Sequence, residues 1–407
     1  MKNIFKFLIT FFLFVNVAFG ATRYVRCTTG SDSNDGNSLP TAYLTIQKCV
    51  DVSSSGDTCL ISDNEVCTAG WSTETGFTKN DYDKTFTVSG ANDGGNAKIT
   101  FPDNRPEIEH VAVLDFSSIT TQFGGLNARD ISFIYKNLKI TIPNHQYGMH
   151  SGGYPIWKDV EINDNGLSGE RNFLYMQYYQ NTFENVFFKK DNTTGFILYN
   201  DGNGGVQQNF RNSYFRWGQF NYPIDIGKYA NSSPCGFEGN VFEVTNTVST
   251  TYPMIVVHGG VYNQIKNNTF LGNGLPNLKA MKIYEQGYGQ PISAIKDNIF
   301  YEFDGAGATS ITWNSGVDFN IVDYGNNAFF NSTTPEVTPA SATIINNLTS
   351  SDVILDETPF TDIVNGDLTL LPEYRGTSSL DKDIGAVQSQ TSGGGGGGST
   401  LFIPIGE

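Results

Sequence analysis

The sequence predicts an all-β fold, a parallel β-helix (solenoid) with a disulfide-stapled N-terminal cap. Three observations predict it: a six-residue phrase recurs at a near-constant interval, the runs between its copies are short and β-rich, and four of the five cysteines crowd the front of the chain. The phrase is clearest as IKNNTF (Ile265 to Phe270) and IKDNIF (Ile295 to Phe300), and returns from Tyr135, Trp157, Phe183, Phe210, Phe237 and, weaker, Tyr324. Successive copies begin 22, 26, 27, 27, 28, 30 and 29 residues apart. A period in the range of roughly 20 to 50 residues is that of a solenoid. A helical solenoid would need apolar residues about 3.6 positions apart and many Ala, Leu, Glu and Lys. This chain instead holds 44 Gly, 30 Phe and 20 Tyr, and runs such as MIVVHGG (Met254 to Gly260) and MKIYEQ (Met281 to Gln286) read as strands joined by turns.

Taken in order, residues 1–20 place Lys2 and Lys6 ahead of an apolar run that Asn16 interrupts, then Ala18 and Gly20 before Ala21. This is the pattern of a signal peptide cleaved ahead of Ala21, too short for the ~20 apolar residues of a membrane span. No later run is long and apolar enough to cross a bilayer, so the reading is a secreted or extracytoplasmic protein, with surface attachment by other means left open. The chain carries 25 Lys+Arg against 41 Asp+Glu; without Lys2 and Lys6 the balance is 23 − 41 = −18. So acidic a surface, with no concentrated basic stripe, disfavours nucleic acid. It also disfavours a strongly anionic polysaccharide unless calcium or a local basic patch intervenes.

Residues 21–70 are read as the cap and first coil. Cys27, Cys49, Cys59 and Cys67 fit two disulfides there, with three pairings open. Cys235 reads as a small buried hydrophobe without chemistry.

Residues 71–388 are read as the β-helix proper. A coil must bend sharply between strands, and the Asn, Asp or Gly at the third position of the phrase tolerates the left-handed backbone such a bend needs. Asn stacked on Asn in successive coils can ladder its amide hydrogen bonds, while the flanking Phe, Ile, Trp and Tyr point inward. Residues 389–407 form a Gly-rich linker and a short apolar tail. Within it LFIPI (Leu401 to Ile405) suits addition to the sheet edge of a protein partner, or is simply a frayed end.

Two stretches carry a family resemblance. Tyr24-Val25, Gly30 to Gly36, Thr45-Ile46-Gln47 and Gly56-Asp57-Thr58 resemble the opening of exported proteins of the pectate-lyase-like right-handed parallel β-helix superfamily, with Thr45 placed to N-cap a short helix that closes the solenoid. Pro359, Phe360 and Asp362, then Asn365 to Asp367 with Leu370, then Asp383 to Ala386, resemble the C-terminal stretch of choice-of-anchor Q β-helix proteins. Right-handedness follows from this resemblance and from the general preference of parallel crossovers. The resemblance implies a polysaccharide or cell-surface glycan as partner. It leaves open a lyase, a hydrolase or a non-catalytic adhesin or tailspike-like protein.

Lyases of this kind take the proton α to a uronate carboxylate with a basic residue, while calcium or another cation neutralises the carboxylate. The polygalacturonase-type hydrolases carry adjacent aspartates, and this chain has no Asp-Asp pair. If Ile224 and Ile226, Ile255 and Val257, and Met281 and Ile283 face the core, alternation turns Asp225, Val256 and His258, and Lys282 and Tyr284 outward on consecutive coils. Lys282 or His258 is then the candidate base. Asp225 or Glu285 would hold a cation, and Tyr284 completes the catalytic group. Solvated positions without chemistry would look the same. For sugar stacking the candidates are Trp217, Tyr222 and Tyr288, with Glu285 at the margin. DSNDGN offers Asp32, Asn34 and Asp35 as calcium ligands, or makes a calcium-free Asx and Gly turn.

Overall fold

The computed structural model describes residues 20–72, 85–128, 132–151, 153–176, 181–195, 197–200, 208–220, 224–226, 236–248, 253–258, 264–284, 292–313, 320–333, 343–348, 352–365, 367–374 and 385. Their strands wind into a parallel β-helix with three faces. The first face stacks Thr22–Val25, Thr58–Ile61, Thr85–Gly90, the leading halves of Ser132–Thr141, Ile156–Asn163 and Asn181–Lys190, and then the strands from Gln208–Arg211 to Thr343–Leu348. The second face begins just past the bend and runs through Tyr214–Phe220, Val241–Val248, Thr269–Leu271, Ile299–Phe303 and Ala328–Ser332 to Val353–Leu355. The third is built of two stacks. One pairs Trp71–Ser72, Leu126–Ala128, Met149–Ser151, Leu174–Met176 and Leu198–Asn200, and the other Ile224–Ile226, Pro253–His258, Lys279–Tyr284 and Thr309–Trp313.

The repeated phrase pairs with itself from coil to coil. Tyr135 lies opposite Trp157, and the row continues through Phe183, Phe210, Phe237, Ile265 and Ile295 to Tyr324. All eight of these first residues are buried, as expected. The third residue makes the bend in a left-handed conformation in every copy, with φ of 52° at Asn137, 56° at Asp159, 55° at Asn185, 49° at Asn212, 69° at Gly239, 56° at Asn267, 58° at Asp297 and 54° at Asn326.

The amide ladder belongs to the next residue. Asn240, Asn268, Asn298 and Asn327 point inward, and the backbone N–H of each of the first three donates to the following side-chain oxygen at 3.0 Å. Each of those side-chain amides donates to the same oxygen and to a first-face carbonyl, of Phe210, Phe237 or Ile265. Asp352 ends the row by accepting from the Asn327 N–H at 2.8 Å. The sixth residue builds a ring stack: Phe188, Phe215, Phe242, Phe270, Phe300 and Phe329 follow one another at 4.7 to 5.1 Å with nearly parallel planes. Each such ring buries area that stabilises by about 1.5–3 kcal/mol.

At the amino-terminal end the helix Ile46–Val52 covers the first coil with Ile46, Cys49 and Val50, and Thr45 caps it by accepting from the Lys48 N–H. The cysteines pair as Cys27–Cys67 and Cys49–Cys59. Cys235 lies outside the described residues.

Two antiparallel elements depart from the regular coil. The pair Lys98–Ile99 and Ile108–Glu109 sets Ile99 and Phe101 over Phe187 and Tyr214 on the outside of the second face. Farther along, Phe360–Asp362 pairs with Asp367–Leu370 and covers Ile299, Tyr301, Ala328, Phe330 and Leu355 on the same face. Gly385 returns to this surface: its N–H donates to the Asp297 carbonyl at 3.1 Å, and a Cβ there would fall 2.7 Å from Ile299 Cδ1. That close approach, with φ of 87°, explains the glycine of the Asp-Ile-Gly-Ala phrase.

Candidate functional site

The register of the third face aligns Asp225, Val256, Lys282 and Thr312 in one row and sets His258 beside Tyr284. Ile224, Ile255, Met281 and Ile311 form the buried row next to it. Lys282 is half-buried. For Asp225, His258 and Tyr284 the description extends to the backbone, and Glu285, Tyr222 and Tyr288 lie outside the described residues. Trp217 requires a correction. It is 1 % exposed and stacks at 6.2 Å on Phe215. Alternation from Phe215 carries it inward, so its ring serves the core and offers no face to a sugar.

In the DSNDGN loop both oxygens of Asp32 hold the cap. Asp32 Oδ1 accepts from the backbone N–H groups of Leu44 and Thr45, and Oδ2 from the Thr45 hydroxyl, each at 2.9 Å. The Asn34 amide donates to the Ala42 carbonyl, and Asp35 Oδ1 accepts from the Asn37 N–H. Among the described residues no group of three or more His, Cys, Asp or Glu side chains is placed to hold a metal ion.

Among the described residues the most perturbed lysine is Lys190, whose burial pushes its pKa down to about 7. It is 0 % exposed, and its Nζ donates to the carbonyls of Arg171 and Gly195 and lies 5.6 Å from the centre of the Phe173 ring. An ammonium so enclosed ties the turn around residues 164–172 to the turn at 193–195 and does not reach the surface.

A different group of side chains gathers on the first stack of the third face. Asn127, His150 and Tyr175 occupy one outward row on consecutive coils. His150 is 3 % exposed, with Nδ1 3.2 Å from Asn127 Oδ1. Around it stand three partly exposed rings. Phe123 lies 4.8 Å from His150 and 5.3 Å from Tyr175, and Tyr147 meets Tyr175 edge-on at 5.6 Å. Polar groups edge the patch: Gln146 donates to Glu170 at 2.8 Å and Arg171 to Asn144 at 2.6 Å.

Phe123 has φ of 54°. A bulky residue in the left-handed region is strained, and such strain concentrates at functional sites. The hydrogen bond from its N–H to the Tyr147 carbonyl, at 2.7 Å, holds it against the neighbouring coil. Rings presented edge and face beside a buried imidazole can stack on the apolar face of a pyranose, while carboxylate, amide and guanidinium groups at the rim meet hydroxyls. None of Phe123, Tyr147, His150 or Tyr175 is among the site residues that the sequence pointed to. The coil period, applied to the third-face strands as it was to the phrase, would have aligned Asn127, His150 and Tyr175.

No family model matches the chain, and no curated protein matches it. Among solved structures it is similar to the complex of XylC with xylose (10 % identity, 83 % of this chain and 86 % of that one, TM-score 0.39). It is also similar to the GH136 lacto-N-biosidase from Eubacterium ramulus (12 %, 82 % and 67 %, 0.38) and to pectate lyase Pel9A (14 %, 92 % and 98 %, 0.34). Overlaps this distant transfer no catalytic residue to this chain.

Proposed function

We propose that this is an exported β-helix protein that engages a glycan on its third face, at the patch of Phe123, Tyr147, His150 and Tyr175. The observation that carries the reading is the strained Phe123 backbone, which holds a ring against His150 and Tyr175. Binding needs no general base, and the patch combines aromatic surface with hydrogen-bonding groups at its rim. The paired cap cysteines fit an oxidising, extracytoplasmic compartment, and no helix among the described residues is long and apolar enough to cross a membrane. On this reading the protein is an adhesin or tailspike-like surface protein, with the tail from Leu401 to Ile405 available to a protein partner.

A second reading, β-elimination on a uronate glycan, rests on the row that sets Lys282 in register with Asp225 two strands away. There Lys282 or His258 would take the proton, and calcium bound near Asp225 or Glu285 would neutralise the carboxylate. One experiment separates the two. The mature protein is incubated with alginate, pectate, chondroitin and neutral glycans, with and without calcium, and followed for unsaturated product by ultraviolet absorbance and for retention on glycan columns. Retention without product supports binding. Product that disappears in Lys282→Ala and His258→Ala supports the lyase. Neither product nor retention rejects both.

A further inference from the structure

The first strand carries a feature that glycan engagement does not use. The backbone nitrogen of Ala21 donates to Asp57 Oδ1 at 2.6 Å, and Asp57 is only 6 % exposed. Its other oxygen accepts from the Ser54 N–H at 2.8 Å and lies 3.9 Å from Arg23 Nε. Ala21 also accepts from the Thr58 N–H at 2.8 Å, immediately before Thr22–Val25 pairs with Thr58–Ile61. A buried carboxylate is thus aimed at the nitrogen of the residue that a signal-peptide cleavage would leave first. Upstream, the chain is tightly confined: a Cβ on Gly20 would lie 1.7 Å from the Gly56 carbonyl oxygen, so only glycine fits there while the bond is intact. Gly20 and Ala21 are both exposed.

We propose that hydrolysis of the Gly20–Ala21 bond creates an α-ammonium at Ala21 that pairs with the buried Asp57 carboxylate and pins the first strand, so that processing completes the amino-terminal edge of the fold. Water supplies the hydroxyl of the new Gly20 carboxylate and a hydrogen to the Ala21 amine, which takes a further proton from solvent at neutral pH. The existing hydrogen bond, whose acceptor is already ionised, gains a charged donor and becomes an ion pair. An opposite charge beside the amine also favours its protonated form, so it titrates above the usual range of about 7.7–8.0. The proposal rests on the export reading, and the test separates the two.

The chain is recovered from outside the cytoplasm and its first residue determined. A first residue other than Ala21 overturns both the cleavage site and the ion pair. If it is Ala21, this form is compared with one carrying Ser-Gly ahead of Ala21, which keeps the amide hydrogen bond and moves the charge away. The expected result is a melting temperature about 1–2 °C higher for the Ala21 form at pH 7. The difference should close as pH rises toward about 10 and the amine loses its proton, and should be absent when both forms carry Asp57→Asn. Equal melting temperatures for the two wild-type forms from pH 6 to 10 overturn the ion pair and leave the export reading standing. Should Asp57→Asn fail to fold, the pH dependence of the wild-type pair decides.

Discussion

At the scale of single residues, each position of the repeated phrase has one physical duty, and the duties differ. The third position bends the chain, the fourth feeds the axial hydrogen-bond row and the sixth extends the ring stack. Asn137, with φ of 52°, tests the first duty. Asn137→Gly should leave the denaturation midpoint nearly unchanged, because glycine adopts this conformation without steric cost. Asn137→Val should lower stability by about 1–2 kcal/mol, since its branched Cβ clashes in the left-handed region. The composition of the phrase made this bend legible in the sequence. The inward course of Trp217 was not, because an aromatic run such as YFRWGQF reads as exposed surface until Phe215 is fixed in the stack and alternation assigns its neighbours.

At the scale of elements, the inward asparagines act as one unit. Asn298→Ala would leave the Asn268 N–H and side-chain amide without their shared acceptor at 3.0 Å, and would take from the Ile265 and Lys296 carbonyls the donor that the Asn298 amide supplies. Buried groups left unpaired cost enough that a loss of about 3 kcal/mol is expected in chemical denaturation. The end of the row is sensitive to pH. Burial pushes the Asp352 carboxyl up to about 6 from 3.8, against the opposing hydrogen bond from Asn327. Between those values the folded chain holds a proton that the unfolded chain has released, so stability falls as pH rises from about 4 to about 6 and is level above that. Asp352→Asn extends the row with a neutral amide and should abolish this dependence, raising the melting temperature at pH 7 and changing it little at pH 4. An unchanged pH profile in the variant would disprove the assignment.

At the scale of the whole molecule, the repeating part of the fold was legible because stacking forces equivalent residues of successive coils into the same environment, and the phrase records that environment eight times. The two antiparallel covers over the second face occur once each and leave no periodic trace. The same reason hid the aromatic patch: Phe123 and Tyr147 come from turns, whose lengths vary from coil to coil, and only their placement beside His150 and Tyr175 marks them out. The central claim, that this patch engages a glycan, is tested most directly by calorimetric titration of a glycan retained by the wild type into wild-type, Tyr175→Ala and Lys282→Ala proteins of matching circular dichroism. The account predicts affinity at least about tenfold weaker in Tyr175→Ala, a loss of about 1.4 kcal/mol, and unchanged in Lys282→Ala. Equal affinity in wild type and Tyr175→Ala would contradict it.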